Sequence, residues 1–217
     1  MFFSRVIIYL LGLISLTCGT TMSANTMLGL SAGNSFPYVL SQISGFSFGI
    51  CANVIYVIYI IIQWLLLGKN FHKKNLLQIV VAFIYGRFVD IWVFLLRDMV
   101  YVSYSARFIQ LGLSLILVGM GVTLIIAADI VPNPIDGLTL AIAKKMKRPF
   151  YVAKLITDCG AAGLAIVLSL VFLHTLVGVR EGTVISAVLT AWSVRLFSVL
   201  LRPVIKAIFK YDIKKAL

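Results

Sequence analysis

Charged side chains are scarce in this chain. Only 12% of its 217 residues are Asp, Glu, Lys or Arg, just seven of these are acidic, and 61% of the residues are hydrophobic. The mean hydropathy is +1.07. Because a soluble domain carries about a quarter charged residues, this chain has too little polar surface to keep a globule in water. The composition therefore predicts an integral membrane protein.

The residues that perform most enzyme and metal chemistry are also rare. The three cysteines lie in apolar stretches without a metal-binding spacing, and His72 and His174 are far apart. The sequence has no Ser/His/Asp set, no paired-histidine motif and no phosphate-binding loop. We therefore predict that the protein is not an enzyme and expect no catalytic residue, metal site or cofactor. The net charge of +12 comes without a nucleic-acid-binding module, so we expect no nucleic-acid partner.

Long apolar runs make up most of the sequence instead. A bilayer core of about 30 Å needs roughly 20 apolar residues per helix, and in hydrocarbon the backbone must satisfy its hydrogen bonds within the segment. Six runs meet that length, which predicts an all-α protein with six transmembrane helices. The first run also has features of a signal peptide, but it belongs to a repeat and is therefore predicted to remain as a helix. The runs are approximately 5–27, 48–68, 76–97, 107–128, 151–175 and 182–202.

Basic residues are distributed unequally between the connecting segments. With the N-terminus in the cytoplasm, thirteen of the nineteen Lys and Arg residues fall in inside segments and three in outside segments. Cytoplasmic loops of membrane proteins carry such an excess of positive charge. The distribution predicts that both termini are cytoplasmic and that the chain ends in a basic cytoplasmic tail.

The chain contains an internal repeat. At an offset of 102 residues, Gly19 falls on Gly121 and Phe48 on Phe150, and every apolar block of the first part overlies one of the second. A three-residue insertion later changes the offset to 105. The repeats span residues 1–104 and 105–217 in a single membrane domain. Because each contains three crossings, the second is predicted to be inverted relative to the first.

Each repeat has a break after its first span. Pro132 and Pro134 cannot continue a helix, and Gly29 and Gly33 loosen the chain at the equivalent point. A short helix is predicted after each break, at about 136–147 in the second repeat and at about 35–45 in the first.

The breaks also predict a binding site. Asp136 and its counterpart Asn34 are suited to cap the short helices. In transporters with inverted repeats, paired breaks of this kind point to the substrate site.

Ionisable residues inside the spans form a second group of candidates, because charges at membrane depth face the protein interior or water. Arg87 and Asp90 lie three residues apart in the third span, and the repeat aligns Asp90 with Arg195. The sequence predicts an Asp90–Arg195 pair, or a cluster of all three. In the fifth span, Asp158 either pairs with Lys154 four residues earlier or provides a proton or cation site. Lys154 is expected to reach the interface.

Ten residues are predicted to bind a substrate. Phe36 and Tyr38 join the set as aromatic side chains that could line a pocket beside the first break. The set is Asn34, Phe36, Tyr38, Arg87, Asp90, Asp129, Asn133, Asp136, Asp158 and Arg195.

Two sets of motifs carry a resemblance to a known family. One is the pattern A-D-x-x-x-x-P-x-D-G, made by Ala128, Asp129, Pro134, Asp136 and Gly137. The other is a first span containing Gly12 and Gly19, followed by a G-x-S-F-G entry into the second span made by Gly45, Ser47, Phe48 and Gly49.

Over about residues 5–202 the chain resembles the YczE/YyaS/YitT group of bacterial multi-pass membrane proteins. The resemblance implies a small transporter in the bacterial cell (inner) membrane. The first repeat departs from the acidic pattern, since Met27 stands at the position of Asp129 and Ala32 at that of Pro134.

The features together favour a transporter that binds a small polar or aromatic metabolite between the two repeats. One alternative is the substrate-binding subunit of a vitamin importer of the energy-coupling-factor type. Such a subunit would dock energising partner subunits, and the row of small residues Ser15, Gly19 and Ser23 could serve that purpose. A further alternative is an accessory membrane scaffold. The expected partners are the lipid bilayer and a small-molecule substrate, and a homo-oligomer is a further alternative.

Overall fold

All regular structure in the described part of the chain is helical. The computed structural model describes residues 2–99 and 101–209. Short 3₁₀ segments follow the second long helix, and a π-helical turn, Ser169–Leu173, extends the fifth. The α-helices are α1 (Phe2–Asn25), α2 (Ala32–Ser44), α3 (Phe48–Leu67), α4 (Gln78–Leu95), α5 (Tyr104–Ala128), α6 (Pro134–Met146), α7 (Phe150–Leu168), α8 (Glu181–Leu200) and α9 (Arg202–Phe209).

Six of these helices are long and apolar enough to cross a membrane, as predicted. They are α1, α3, α4, α5, α7 with its π-helical extension, and α8. The outer helices expose large apolar side chains such as Leu65 and Val184, which suits contact with lipid. The protein is therefore a multi-pass membrane protein. Lys210, Lys214 and Lys215 of the predicted basic tail lie outside the described residues.

Helices α1 and α5 form the closely packed centre of the molecule. A Cβ atom at Gly19 would lie 2.7 Å from the Ser114 carbonyl oxygen, and one at Gly121 would lie 2.6 Å from the Leu16 nitrogen. The Ser15 hydroxyl donates to the Leu117 carbonyl at 2.8 Å. The predicted row of small residues on α1 therefore allows another helix to pack closely against α1, as small residues do in membrane proteins. That helix is α5 of the same chain, so the row does not face outward to dock a partner subunit.

The helices of the two halves of the chain make matching contacts. In the first half α1 packs on α4, and α3 on α2 and α4; in the second, α5 packs on α8, and α7 on α6 and α8. Between the halves, α1 packs on α5, α2 on α7, and α6 on α3. Each short helix therefore lies against a long helix of the other half. Exchanging α1 with α5, α2 with α6, α3 with α7 and α4 with α8 leaves this set of contacts unchanged.

The two predicted breaks are present, and a short helix follows each. Helix α5 ends at Ala128 and is followed by the C-cap residue Asp129, which has a left-handed φ of 52°. Helix α6 begins at Pro134, and the first helical position favours proline. The first break contains Gly29 with φ 103°. Gly33 lies within α2, so the prediction that it loosens the chain is wrong.

The predicted caps are wrong. Ser31 and Asn133 occupy the N-cap positions, and neither side chain accepts a capping hydrogen bond. Asn34 and Asp136 lie inside the first turns of their helices instead. Their side chains are therefore free to point away from the helix end, into the protein interior.

Candidate functional site

The two short helices meet N-terminus to N-terminus inside the protein. A Cβ atom at Gly33, the second residue of α2, would lie 2.8 Å from Cδ1 of Ile135, the second residue of α6. Backbone N–H groups at a helix start lack helical partners, and the helix dipole makes the region electropositive. Because this meeting point is buried, it places two electropositive helix ends beside each other in the core.

A network of hydrogen bonds links the meeting point to the surrounding long helices. Asn34 Oδ1 accepts from the hydroxyls of Tyr85 at 3.0 Å and Tyr56 at 3.2 Å. Asn133 Nδ2 donates to the Tyr56 hydroxyl at 3.4 Å, and Asn34 Nδ2 donates to Thr20 at 3.4 Å. Tyr56 and Tyr85 lie near the middles of α3 and α4 and are fully buried. The network therefore lies near the middle of the membrane-crossing bundle.

Three ionisable groups lie beside this network. The Lys154 ammonium is 3.0 Å from Asp158 Oδ1 and 3.4 Å from Asp136 Oδ1. Both aspartates are fully buried, and Lys154 is only 4% exposed. Asp158 lies against the start of α2, since a Cβ atom at Gly33 would be 2.7 Å from its Oδ1. We call Asp136, Lys154 and Asp158 the acidic triad.

Several polar atoms around the acidic triad have no hydrogen-bond partner among the described residues. They include Oδ2 of both aspartates, Oδ1 of Asn133 and the hydroxyl of Tyr9. Buried polar atoms in native proteins almost always have a partner, so each orphan calls for a ligand, an ion or a water. These unpaired atoms make the cluster the candidate binding site of the described residues.

An amide pair supports the cluster on its α6 side. The Gln63 and Gln78 side chains exchange two hydrogen bonds of 2.9 and 3.0 Å, and Gln63 also donates to the Pro134 carbonyl at 3.0 Å. A Cβ atom at Gly137 would lie 2.7 Å from Gln63 Oε1. The glycine lets α6 approach the amide pair, which holds the start of α6 in place.

Four of the predicted residues come together in this cluster: Asn34, Asn133, Asp136 and Asp158. Phe36 and Tyr38 do not join them. Both are half-buried and pack against the hydrophobic core, where the Tyr38 ring meets Phe48 edge to face at 5.5 Å. Their positions on α2 give them a packing role.

Asp129 lies away from the cluster, although it shares a motif with Asp136. Its side chain is 56% exposed and pairs with Arg5 at 3.2 Å, and its carbonyl accepts from Lys74. These contacts tie the end of α5 to the start of α1 and the segment before α4. Asp129 is therefore an exposed structural residue.

The predicted Asp90–Arg195 pair and the cluster with Arg87 are wrong. Asp90 accepts hydrogen bonds from Ser47 at 3.0 Å and from the Gly49 backbone at 2.9 Å, at the start of α3. Arg195 is exposed and lies over the Tyr151 and Trp192 rings, and Arg87 is exposed on α4. A negative charge at a helix start is favourable, which explains why Asp90 faces α3.

The sequence did not predict Lys154, Tyr56 and Gln63 as part of the site. Lys154 was expected to reach the interface because it lies close to the cytoplasmic end of its predicted span, but it is buried and pairs with Asp136 of α6. The i, i+4 pairing of Lys154 with Asp158 was predicted and is confirmed. Glutamine inside an apolar span was a usable signal for Gln63 and Gln78, since polar groups at membrane depth face the interior.

The described residues contain no group of three or more His, Cys, Asp or Glu side chains that could hold a metal ion. A cavity of about 610 Å³ lies elsewhere, between the start of α7 and the end of α8, lined by residues including Tyr151, Arg195 and Arg202.

Comparison with known proteins identifies the family. The chain is 29% identical over 165 residues to the uncharacterized protein YyaS of Bacillus subtilis (strain 168), a match that covers 76% of this chain and 79% of the relative. No solved structure matches the chain. Residues 3–199 match a family described as "Family of unknown function (DUF6198)". The chain belongs to this DUF6198 family, which agrees with the YyaS-type resemblance of its sequence.

Proposed function

We propose that the protein is a membrane transporter that binds a small polar solute where the two short helices meet. The observation that carries the proposal is that meeting point, with its acidic triad and orphaned polar atoms at mid-membrane depth. Ionisable groups at that depth are costly and usually mark a solute or ion path. A purely structural bundle would gain nothing from unpaired polar atoms there.

The architecture supports the same proposal. The two halves are inverted repeats, and the symmetric set of helix contacts supports this relation. In transporters built this way, the substrate site lies between the repeats and is formed by broken helices whose N-termini face the solute. The cytoplasmic position of both termini follows from the distribution of basic residues, and the bacterial relative supports the bacterial cell membrane as the location.

A substrate-binding subunit of a vitamin importer is less well supported. The small-residue row proposed to dock its partners is buried by α5 through Ser15 and Gly19. A transporter in which each half supplies one broken helix forms its substrate site without a partner subunit.

A binding screen followed by uptake tests the proposal. The purified protein is screened by thermal stability against amino acids, nucleobases and vitamins, and solutes that stabilise it are tested for uptake into proteoliposomes. We expect Asp136→Asn to abolish both the stabilisation and the uptake. Asp129→Asn is the matched control, because it changes the other aspartate of the same motif at an exposed position.

The outcome separates the hypotheses. Stabilisation and uptake that are unchanged in Asp136→Asn, Lys154→Gln and Asp158→Asn would place the solute site elsewhere and overturn the proposal. Equal losses in Asp129→Asn and Asp136→Asn would show a general folding defect and would also count against it.

A further inference from the structure

The acidic triad has an unbalanced formal charge. It contains two carboxyl groups and one ammonium, and the ammonium lies within 3.4 Å of both carboxyl groups. If all three were ionised, the triad would carry one negative charge in a place without exposure to solvent. An ionised carboxylate that is buried without full compensation is strongly disfavoured.

The groups that face the triad from neighbouring helices do not supply the missing positive charge. Tyr9 of α1 and Tyr59 of α3 lie close enough to interact electrostatically with Asp136 and Asp158, respectively. Tyr56 of α3 and Tyr85 of α4 also lie close enough to Asp136 to interact with it electrostatically. These phenols are neutral at physiological pH.

The remaining neighbours are neutral as well. Asn34 and Gly33 come from α2, and Thr139 of α6 shares a hydrogen bond of 2.9 Å with Thr157 of α7. The two helix starts favour negative charge, but no hydrogen bond from a backbone N–H reaches either carboxyl group within the described residues. Their compensation is therefore incomplete.

A proton fits the triad better than a metal cation does. A bound metal ion gathers its oxygen ligands around itself, whereas the ammonium of Lys154 already occupies the place between the two carboxyl groups. When two carboxyl groups share one site, one of them holds its proton more strongly. The bond concerned is a carboxyl O–H, which breaks to give a carboxylate and a proton passed to water.

We propose that the acidic triad is a proton-binding site, in which one of the Asp136 and Asp158 carboxyl groups is protonated at neutral pH and exchanges that proton during transport. The proton's role in transport rests on the proposed function, but its presence does not. In the proposed transporter this proton is the co-transported ion. Loss of the proton leaves the triad with an uncompensated charge that a conformational change can expose to water.

Infrared spectroscopy of the purified protein tests the proposal without any solute. A protonated carboxyl group has a C=O stretch that is distinct from that of a carboxylate and that shifts in D₂O. We expect this band in the wild-type protein at neutral pH, and we expect ¹³C-labelled aspartate to shift it. The band is expected to be lost in Asp136→Asn and in Asp158→Asn, because either change leaves one carboxylate paired with Lys154. Asp129→Asn and Asp90→Asn serve as controls and keep the band.

Each result decides the matter. Absence of the band from the wild-type protein at neutral pH, or its persistence in both triad variants, would overturn the proposal. Loss of the band when sodium replaces potassium or choline would assign the site to sodium and overturn it too. If a triad variant does not fold, the ¹³C shift of the wild-type band decides, since the other described aspartates are exposed or half-buried. If a solute binds but the infrared band is absent, only the proton-site proposal is refuted. If the band is present but no solute binds, only the transporter proposal is refuted.

Discussion

At the scale of residues, one lysine lies between two aspartates in the interior of the protein. Lys154 is 3.0 Å from Asp158 and 3.4 Å from Asp136, and all three are buried. Removing one partner of a buried ion pair is costly because the remaining charge loses its compensation. Lys154 is therefore the residue of the triad whose loss the fold should tolerate least.

We predict that Lys154→Gln destabilises the protein by about 3–5 kcal/mol, the usual cost of breaking a buried pair. Adding Asp136→Asn and Asp158→Asn to it removes the charges left behind, so the triple variant should regain more than half of the loss. The measurement is the fraction of detergent-solubilised protein that remains monodisperse after heating. Losses that simply add up across the three changes would mean that the groups do not interact.

A second prediction concerns Gly33, which lies directly against Asp158. An added Cβ would be 2.7 Å from Asp158 Oδ1 and 2.8 Å from Ile135 Cδ1. Gly33→Ala should therefore cost about 1–3 kcal/mol by overpacking and weaken solute binding. Gly160→Ala is the control, because nothing lies within 4 Å of a Cβ atom there. Equal stability of the two variants would show that the start of α2 can move away from the triad.

The sequence identified part of the site for a clear physical reason. Asn34 and Asp136 were found because the two breaks align in the repeat. Lys154 was missed because its distance from the end of α7 does not reveal that Asp136 of α6 lies beside it. The Asp90–Arg195 pair failed because the two residues lie on helices that pack on different neighbours. Helix α4 packs on α1 and α3, whereas α8 packs on α5 and α7.

At the scale of elements, the spans were predictable and the ends of the short helices were not. The solvent dictates the spans, because a bilayer requires long apolar helices. The short helices begin two to three residues earlier than predicted, at Ala32 and Pro134. The shift matters because it turns Asn34 and Asp136 from caps into first-turn residues that point into the core.

The close approach of α1 and α5 leads to a third prediction. A Cβ atom at Gly121 would lie 2.6 Å from the Leu16 nitrogen and 2.7 Å from the Gly12 carbonyl oxygen. These are backbone atoms, so the whole of α1 would have to shift. We expect Gly121→Ala to lower stability by at least about 1–3 kcal/mol, measured by heating in detergent.

Gly112 provides a control on the same helix. It belongs to α5, and nothing lies within 4 Å of a Cβ atom there. Gly112→Ala should be neutral or slightly stabilising, because alanine favours a helix by up to about 1 kcal/mol over glycine. If Gly121→Ala were as stable as Gly112→Ala, α1 and α5 would not be in the contact described.

At the scale of the whole molecule, the proposed inverted relation of the two halves predicts where each loop lies. The segments 41–49 and 143–151 are equivalent in the repeat. The first carries no charge and the second carries four positive charges, as expected for opposite sides of a membrane. Gln42 and Lys145 are both exposed, so each can report the side on which its segment lies.

Cysteine labelling tests this arrangement in the intact protein. Cys18, Cys51 and Cys159 are first replaced by alanine, and Gln42→Cys and Lys145→Cys are introduced separately. A membrane-impermeant maleimide should label Gln42→Cys in whole cells, because residues 41–49 are predicted to lie outside. It should label Lys145→Cys only in inside-out vesicles, because residues 143–151 are predicted to lie on the cytoplasmic side. Labelling of both positions from the same side would exclude inverted repeats. Such labelling would also remove the reason to place a solute site between such repeats at the meeting point of α2 and α6.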